Sequence, residues 1–417
     1  MSFFGKFFER KVADATALTW TALDNGVRSK TGLSVSEATA LRVSAVYGCC
    51  RVVAEDLGKL PLKLIQERSD GSKTVRKDLP LYRLLYRRPN EWQTSMEWRM
   101  TMMLHALLCK YGISFVNRSE RDGSVLELIP IMPQNVCVRQ LADYTLVYDV
   151  SDRSGRIATL TRDQVHVIHG LSWNGYSALE LVAQGTEAIG LALAAEETQA
   201  RMHGNGAKPG GILSTSAVLN KEQIDRTKEQ FASTYSGVAN AFKTILLDNG
   251  LKFEPWQMEG VDGQHLETRK FQVEEVCRLF RVFPQMIAAS SATPTYASAE
   301  SFFGAHVGHT LQPWVTLWEQ AILRDLLTEE EVQSGLEAKF MMQALMRGSA
   351  QQRAAFYSSG IINGWMTRNE ARRLEDLDPL PGLDVVLTPM NMQAGTGQPG
   401  EAPAEDDAEE PAVPEDE

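Results

Sequence analysis

Gly204-Asn205-Gly206-Ala207-Lys208-Pro209 is the stretch that comes nearest to a phosphate-binding loop. A working loop of that kind needs a strand before it, Ser or Thr after the lysine, and a helix whose first N–H groups face the anion. Here a helical pattern precedes, Pro209 follows Lys208 and a strand pattern comes next. The segment therefore reads as an exit from a helix, and a nucleotide-dependent hydrolase built on Gly204–Gly211 is the weaker functional alternative. Gly170-Leu171-Ser172-Trp173-Asn174 lacks the second glycine of a nucleophile elbow. His166 and His169 lie three apart on a strand pattern and face opposite sides. His306 and His309 share a helix face at i, i+3, but no carboxylate or thiol of matching spacing joins them. Glu196-Glu197, Glu274-Glu275 and Glu329-Glu330-Glu331 point about 100° apart from one residue to the next and read as solvated faces. The expectation is no catalytic residue, no cofactor and no metal.

One uncharged loop, Gln285–Ser298, has a different character. Without Lys or Arg it holds phosphates weakly, while Ser290, Ser291, Thr293, Thr295 and Tyr296 can make short-lived hydrogen bonds; an unordered connector is the competing reading. The elements that position it are two helices. The first spans Ser177–Gly206, and the second spans Gln264–Phe283 and is stopped by Pro284. Leu179, Val182, Ile189, Leu191 and Leu193 point in several directions around the first helix. A helix apolar on all sides needs neighbours on all sides, which suggests a ring of copies.

Between the helices sits a compact αβ insert. Ile212–Ser214 reads as a strand, Asn220 and Gln223 cap a helix reaching Tyr235, and Asp248-Asn249-Gly250 turns a hairpin of Thr244–Leu247 and Leu251–Trp256. The part before the first helix mixes both classes. Ser44–Leu57 is helical, Asp70-Gly71 and Asp122-Gly123 mark hairpins, and Thr94 with Glu97 makes a capping box. Strand patterns cover 113–118, 126–131, 136–140, 145–150 and 165–169. Later, Ala299–Leu327 is helical with a bend at Pro313, a strand lies near Lys339–Met342, and Ser349–Leu374 reads as two helices joined at Gly360–Gly364. The fold class is α+β.

Apolar and charged residues make up 43% and 23% of the chain, as in soluble globular proteins, and no uncharged apolar run reaches membrane-span length. Five cysteines without C-x-x-C spacing suit a reducing cytoplasm. Much of the net charge of −11 belongs to the low-complexity tail, 391–417, which carries nine acids and no base and is expected to be disordered. The nearly neutral remainder is a poor candidate for tight, salt-sensitive DNA binding, without excluding a protein that surrounds DNA. Phe3, Phe4, Phe7 and Phe8 lie in an N-terminal arm, expected to pack on a neighbouring subunit rather than on a membrane.

In order and spacing, these residues resemble the portal proteins of long-tailed bacteriophages from about Ser44 to Asp384. The carriers are Leu60-Pro61-Leu62, Leu81–Trp98 around Arg88-Pro89-Asn90, Leu107–Val116 with Tyr111-Gly112, and Gly204–Leu213 with Asn205-Gly206-Ala207. Leu246–Phe253, Phe280–Pro284 and Thr367-Arg368-Asn369-Glu370 complete the set. Phe283 stands where such proteins often have proline before Pro284, and Ala178 replaces another common proline; both concern helix ends.

The resemblance implies a ring, usually of twelve subunits, at one capsid vertex, through which double-stranded DNA enters and leaves. It divides the chain into an arm (1–43), a wing (44–176), a first stem helix (177–206), a clip insert (207–263) and a second stem helix (264–284). A tunnel loop (285–298), a wing helix with return strand (299–348), a crown (349–390) and the acidic tail follow. It further implies terminase large subunit and head-completion or adaptor proteins docking on the clip, where Lys221, Lys228 and Asn249 are candidate contacts. The major capsid protein surrounds the ring, which resides in the virion after assembly in host cytoplasm. A first stem helix of this length would rise roughly 45 Å and face some 26 phosphates. It carries Glu180, Glu187, Glu196 and Glu197 against Arg201, so acids, with Glu187, Glu196 and Glu197 as candidates, are expected to keep the channel non-adhesive. A ring-forming adaptor unrelated to DNA is the remaining alternative.

Overall fold

The computed structural model describes residues 26–151, 156–204, 211–215, 220–222, 224–226, 229, 252–255, 261–289, 296–342, 350–375 and 377–387. Two compact units divide at Met342 and Gln343.

The first unit opens with the short strands β1 (Val27–Arg28) and β2 (Ser34–Val35) and helix α1 (Glu37–Ala40). Helix α2 (Ser44–Gly58) buries Val46, Cys49, Cys50, Val53 and Leu57 on one face, a 3.6-residue stripe. Strands β3 (Leu62–Glu67) and β4 (Lys73–Val75) form the hairpin expected at Asp70-Gly71, and Gly71 takes the positive φ (79°) the turn needs. Helices α3 (Pro80–Tyr86) and α4 (Ser95–Leu108) follow. The expected box starts α4: Thr94 N–H donates to the Glu97 carboxylate at 2.7 Å, and Glu97 N–H to Thr94 Oγ1 at 3.3 Å.

Strands β5 (Gly112–Arg118), β6 (Val125–Ile131), β7 (Val136–Gln140), β8 (Leu146–Ser151), β9 (Ile157–Leu160) and β10 (Val165–Ile168) complete the α+β part ahead of the long helices, termed the wing for brevity. They form two antiparallel sheets, β10-β5-β6 and β7-β8-β9. Ile113, Phe115, Ile131, Tyr148, Val150 and Val167 are buried in one core. Strand β9 is additional to the expected set. Its short apolar–polar run is too brief for periodicity to register.

Helix α5 (Leu181–Gln184) is a single turn ended at Gly185, and α6 (Thr186–Gly204) is the long helix. The helix expected over Ser177–Gly206 thus starts nine residues later, because Glu180 is extended (φ −70°, ψ 113°) and Gly185 leaves the helical region (ψ 10°). Its 19 residues rise about 28 Å. Its apolar residues are only partly covered within one subunit. Val182 and Ile189 are fully buried, while Leu179 and Leu191 are 37% and 46% exposed.

Strands β11 (Gly211–Ser214) and β12 (Lys252–Pro255) pair antiparallel. The expected partner strand Thr244–Leu247 and most of the insert helix lie outside the described residues. The second long helix, α7 (Val261–Phe280), begins and ends three residues earlier than expected. Arg281 stops it by entering the left-handed region (φ 55°), and Val282 N–H donates back to Cys277 O at 3.0 Å, a Schellman-type end.

Helix α8 (Tyr296–Ala305), a π-helical segment (His306–Leu311) and helix α9 (Gln312–Leu326) make up the expected Ala299–Leu327 helix. The irregularity precedes Pro313. Proline sits in the first turn of α9, where its missing N–H costs nothing. Helix α10 (Glu329–Gln333) leads to β13 (Leu336–Phe340), which pairs with β3 as the expected return strand.

The second unit contains α11 (Ala350–Ile362) and α12 (Arg368–Leu374), joined through Gly364 (φ 74°). Asn369 ties α12 to the following segment: its Nδ2 donates to Leu380 O, and Leu380 N–H donates to its Oδ1, both at 2.9 Å.

Candidate functional site: the helical stalk and its root

Contacts along α6 and α7 run in opposite directions. Gly185 lies against Leu279 at one end, and further out Arg269 reaches Gln199 and, at 3.9 Å, Glu196. Beyond the helices, Gly211 pairs with Pro255 and Ser214 with Lys252, so the same antiparallel register passes into the strands. The two helices form a stalk with the β11–β12 pair at its outer end.

The three candidate acids of α6 have different partners. Glu197 pairs with Arg201, one turn on. Glu196 faces Arg269 on α7. Glu187 accepts the backbone N–H of Lys30 at 3.2 and 3.3 Å, so it anchors the β1–β2 segment. At Gly190 that segment approaches so closely that a Cβ would stand 2.4 Å from Ser29 Oγ. Residues 26–35 therefore pack on their own α6, whereas the phenylalanines of the arm lie outside the described residues. On α7, Arg278 pairs with Glu275 and, at 3.7 Å, Glu274, and lies over the Phe271 ring at 5.4 Å.

The root of the stalk is fastened to the wing. Cys49 Sγ on α2 lies 3.9 Å from Cys277 Sγ on α7, both buried, and the contact with the Cys277 thiol, followed by burial, raises the pKa of Cys49. After Pro284 the chain makes a 3-10 turn to Ile287, which packs on Gly48 of α2. Ala288 then turns left-handed (φ 56°). The π segment faces the same root: Thr310 Oγ1 donates to Arg281 O, and His306 Nε2 lies 2.9 Å from Asp56 Oδ2 on α2. His306 is buried and His309 exposed, so the expected shared face does not exist. A π segment advances by a different angle per residue than the α-helix assumed in that pairing. An open cleft of about 360 Å³ lies here, lined by Cys277, Val282, Phe283, Pro284, Arg278 and Arg281 among others.

Of the loop candidates, Ser290, Ser291, Thr293 and Thr295 lie outside the described residues, and Tyr296 opens α8. Lys221 is exposed; Lys228 and Asn249 lie outside the described residues.

The constellation closest to an enzyme's is one that spacing could not reveal. Ser114 on β5 stands opposite His166 on β10, and His166 Nδ1 lies 3.1 Å from Asp325 Oδ2 on α9. All three are buried, Ser114 Oγ accepts from Trp98 Nε1 at 2.9 Å, and Trp98 and Trp318 crowd the imidazole. The carboxylate also accepts Val167 N–H at 3.0 Å and the guanidinium groups of Arg324 and Arg162. Burial works to raise its pKa, but the bonds from His166 and Arg324 and the charge of Arg162 prevail and hold it at about 2. A side-chain group so enclosed pins α9 to β10 and offers no room for a substrate. Among the described residues no cluster of three or more His, Cys, Asp or Glu could hold a metal, and no helix is long and apolar enough to cross a membrane. The Gly204–Gly211 segment is entered from a helix and left by a strand, the reverse of a phosphate loop's order.

Comparison with known proteins matches this architecture. The portal protein of Enterobacteria phage HK97 is 30% identical over 359 residues, covering 85% of this chain and 83% of that protein. The probable portal protein of Streptomyces phage phiC31 is 29% identical, covering 91% and 83%. Among solved structures, an HK97 family phage portal protein from Corynebacterium diphtheriae superposes with a TM-score of 0.56 at 16% identity, covering 76% of this chain and 99% of that one. A chain from the neck of a native gene transfer agent particle, computed with C12 symmetry, gives 0.54 at 21% identity, covering 82% and 94%. The family described as phage portal protein matches residues 44–376, and the chain belongs to that family.

Proposed function

We propose that this portal protein forms a closed ring of twelve at a capsid vertex, and that double-stranded DNA passes through its centre during packaging and ejection. The reading is carried by the antiparallel stalk, whose register continues from α6 and α7 into β11 and β12, in a chain of the portal family. The C12 symmetry of the gene transfer agent neck supports the number. In this arrangement the stalk borders the channel, 285–298 forms its tunnel loop and 349–390 its crown. The insert 207–263, with Lys221, Lys228 and Asn249, receives the terminase large subunit and later the adaptor proteins, while the major capsid protein holds the wing. Assembly takes place in host cytoplasm, and the finished ring resides in the virion.

The physical requirement on the stalk is weak attachment. A 28 Å wall faces about 17 phosphates of a duplex. A fixed base opposite each would make binding strong and steeply salt-dependent. Here Arg201, Arg269 and Arg278 are each committed to carboxylates of the stalk itself. Electron micrographs of the purified full chain should show annuli with a central hole; a stable monomer under assembly conditions would remove the reading. Replacing Glu196 and Glu197 by lysine should leave annuli intact and slow packaging, most at low salt. Unchanged packaging rates in that variant would mean the stalk charges do not meet DNA.

A further inference from the structure

The loop after β10 carries the most exposed large apolar side chain among the described residues. Trp173 is 89% exposed and Leu171 81%. An exposed tryptophan on a slack loop would carry little meaning, but this loop is built to hold its shape. Asn174 Oδ1 accepts the N–H groups of Tyr176 and Ser177 at 3.1 and 2.8 Å. Ser172 Oγ accepts Gly175 N–H at 2.9 Å and donates to Ser177 O at 2.7 Å. Ser172 bridges to Ala178, Leu179 N–H donates to Leu171 O, and Gly175 supplies the positive φ (84°) at the turn. Five hydrogen bonds thus hold the backbone that presents the indole to solvent, and the loop's conformational entropy is largely spent before any partner arrives.

The same chain carries a receptor of matching chemistry. The cleft at the stalk root has an apolar floor of Val282, Phe283 and Pro284, and its rim carries the Arg281 guanidinium beside the Glu274–Arg278 pair. An indole face is the best aromatic partner for a guanidinium, and interface hot spots are enriched in tryptophan and arginine. The subunit's own Trp173 remains in solvent. Closing a ring of identical subunits requires a head-to-tail contact between two different patches.

We propose that Trp173 of each subunit, with Leu171 beside it, docks into the stalk-root cleft of the adjacent copy, fastening one wing loop to the neighbouring stalk. This rests on the ring reading above and names its contact.

The test places the photo-crosslinking residue p-benzoylphenylalanine at position 173 of the full chain and mixes isotopically light and heavy subunits before assembly. Illumination of annuli should link position 173 to the 274–284 peptide of the opposite isotope. Links confined to one chain, or to another surface, overturn the contact. Because Trp173 is solvent-exposed, Trp173→Ala should leave far-ultraviolet dichroism unchanged and lower ring yield at limiting concentration at least tenfold, with Trp173→Phe partly restoring it. Undiminished ring yield in Trp173→Ala overturns the contact while leaving the ring reading in place. Absence of wild-type annuli removes both.

Discussion

Wing and stalk both join acids to bases, on opposite terms. In the wing, Asp325 is buried and satisfied by His166, Arg162, Arg324 and a backbone N–H, between β10 and α9, elements distant in sequence. In the stalk, Glu197 and Arg201 are neighbours on one helix turn, with side chains 44% and 75% exposed. A buried charge stripped of a partner has no water to turn to, whereas an exposed one is rehydrated at once. The wing is therefore specified by its own interior. The stalk leaves Leu191 and Phe271 half in solvent, a surface that neighbouring copies would cover in the proposed ring.

The largest break in that contrast comes from Asp325→Ala. It leaves buried His166 and the Val167 N–H without an acceptor, while Arg162 and Arg324, 30% and 50% exposed, turn to water; the expected loss is about 2–4 kcal/mol in urea unfolding. A loss under 1 kcal/mol would mean the wing tolerates its orphaned donors as a surface does.

Acid titration sharpens the comparison at intermediate size. Burial lowers His105, on α4, to about 4, while Asp325 sits at about 2. Both folded values lie below their unfolded ones, about 6.5 and 3.9, so each contributes stability that is full above the unfolded value. That contribution is lost as pH falls toward the folded value. The urea unfolding free energy should drop first between pH 6.5 and 4, by about 3 kcal/mol, and again between pH 4 and 2. His105→Gln should erase the first step and leave the second. A single step below pH 4 in the wild type would show that His105 is hydrated.

What the sequence revealed follows the same division between local and distant. The Thr94–Glu97 box, the turns at Gly71 and Gly123 and the return strand at β13 rest on neighbouring residues or on simple alternation, and each was legible. The portal resemblance drew on order along the chain, and family comparison bears it out. The Asp325–His166 and Asp56–His306 pairs, 159 and 250 residues apart, carry no spacing signal. Spacing shows only that His166 faces away from His169 and that no carboxylate of matching spacing joins His306. The same holds for Cys49 against Cys277 and for Gly190, whose reason is Ser29 on another element. The stalk's helix ends were misplaced because Gly185 and Arg281 act through backbone angles, and arginine gives no warning of a left-handed φ.

The smallest effect is the most discriminating. Glu197→Ala removes an exposed i, i+4 pair, which is worth about 0.3–0.5 kcal/mol. In dissociated subunits the loss should be of that size and should vanish in high salt, because exposed charges are screened over roughly 8 Å at physiological ionic strength and less above it. If the same substitution costs the assembled ring much more, measured as ring dissociation against urea, the surplus comes from a partner outside the subunit. Glu197 then belongs to a subunit seam rather than to the channel wall. Equal losses in subunit and ring, both abolished by salt, keep the carboxylate in water, where repulsion of a passing duplex requires it to be.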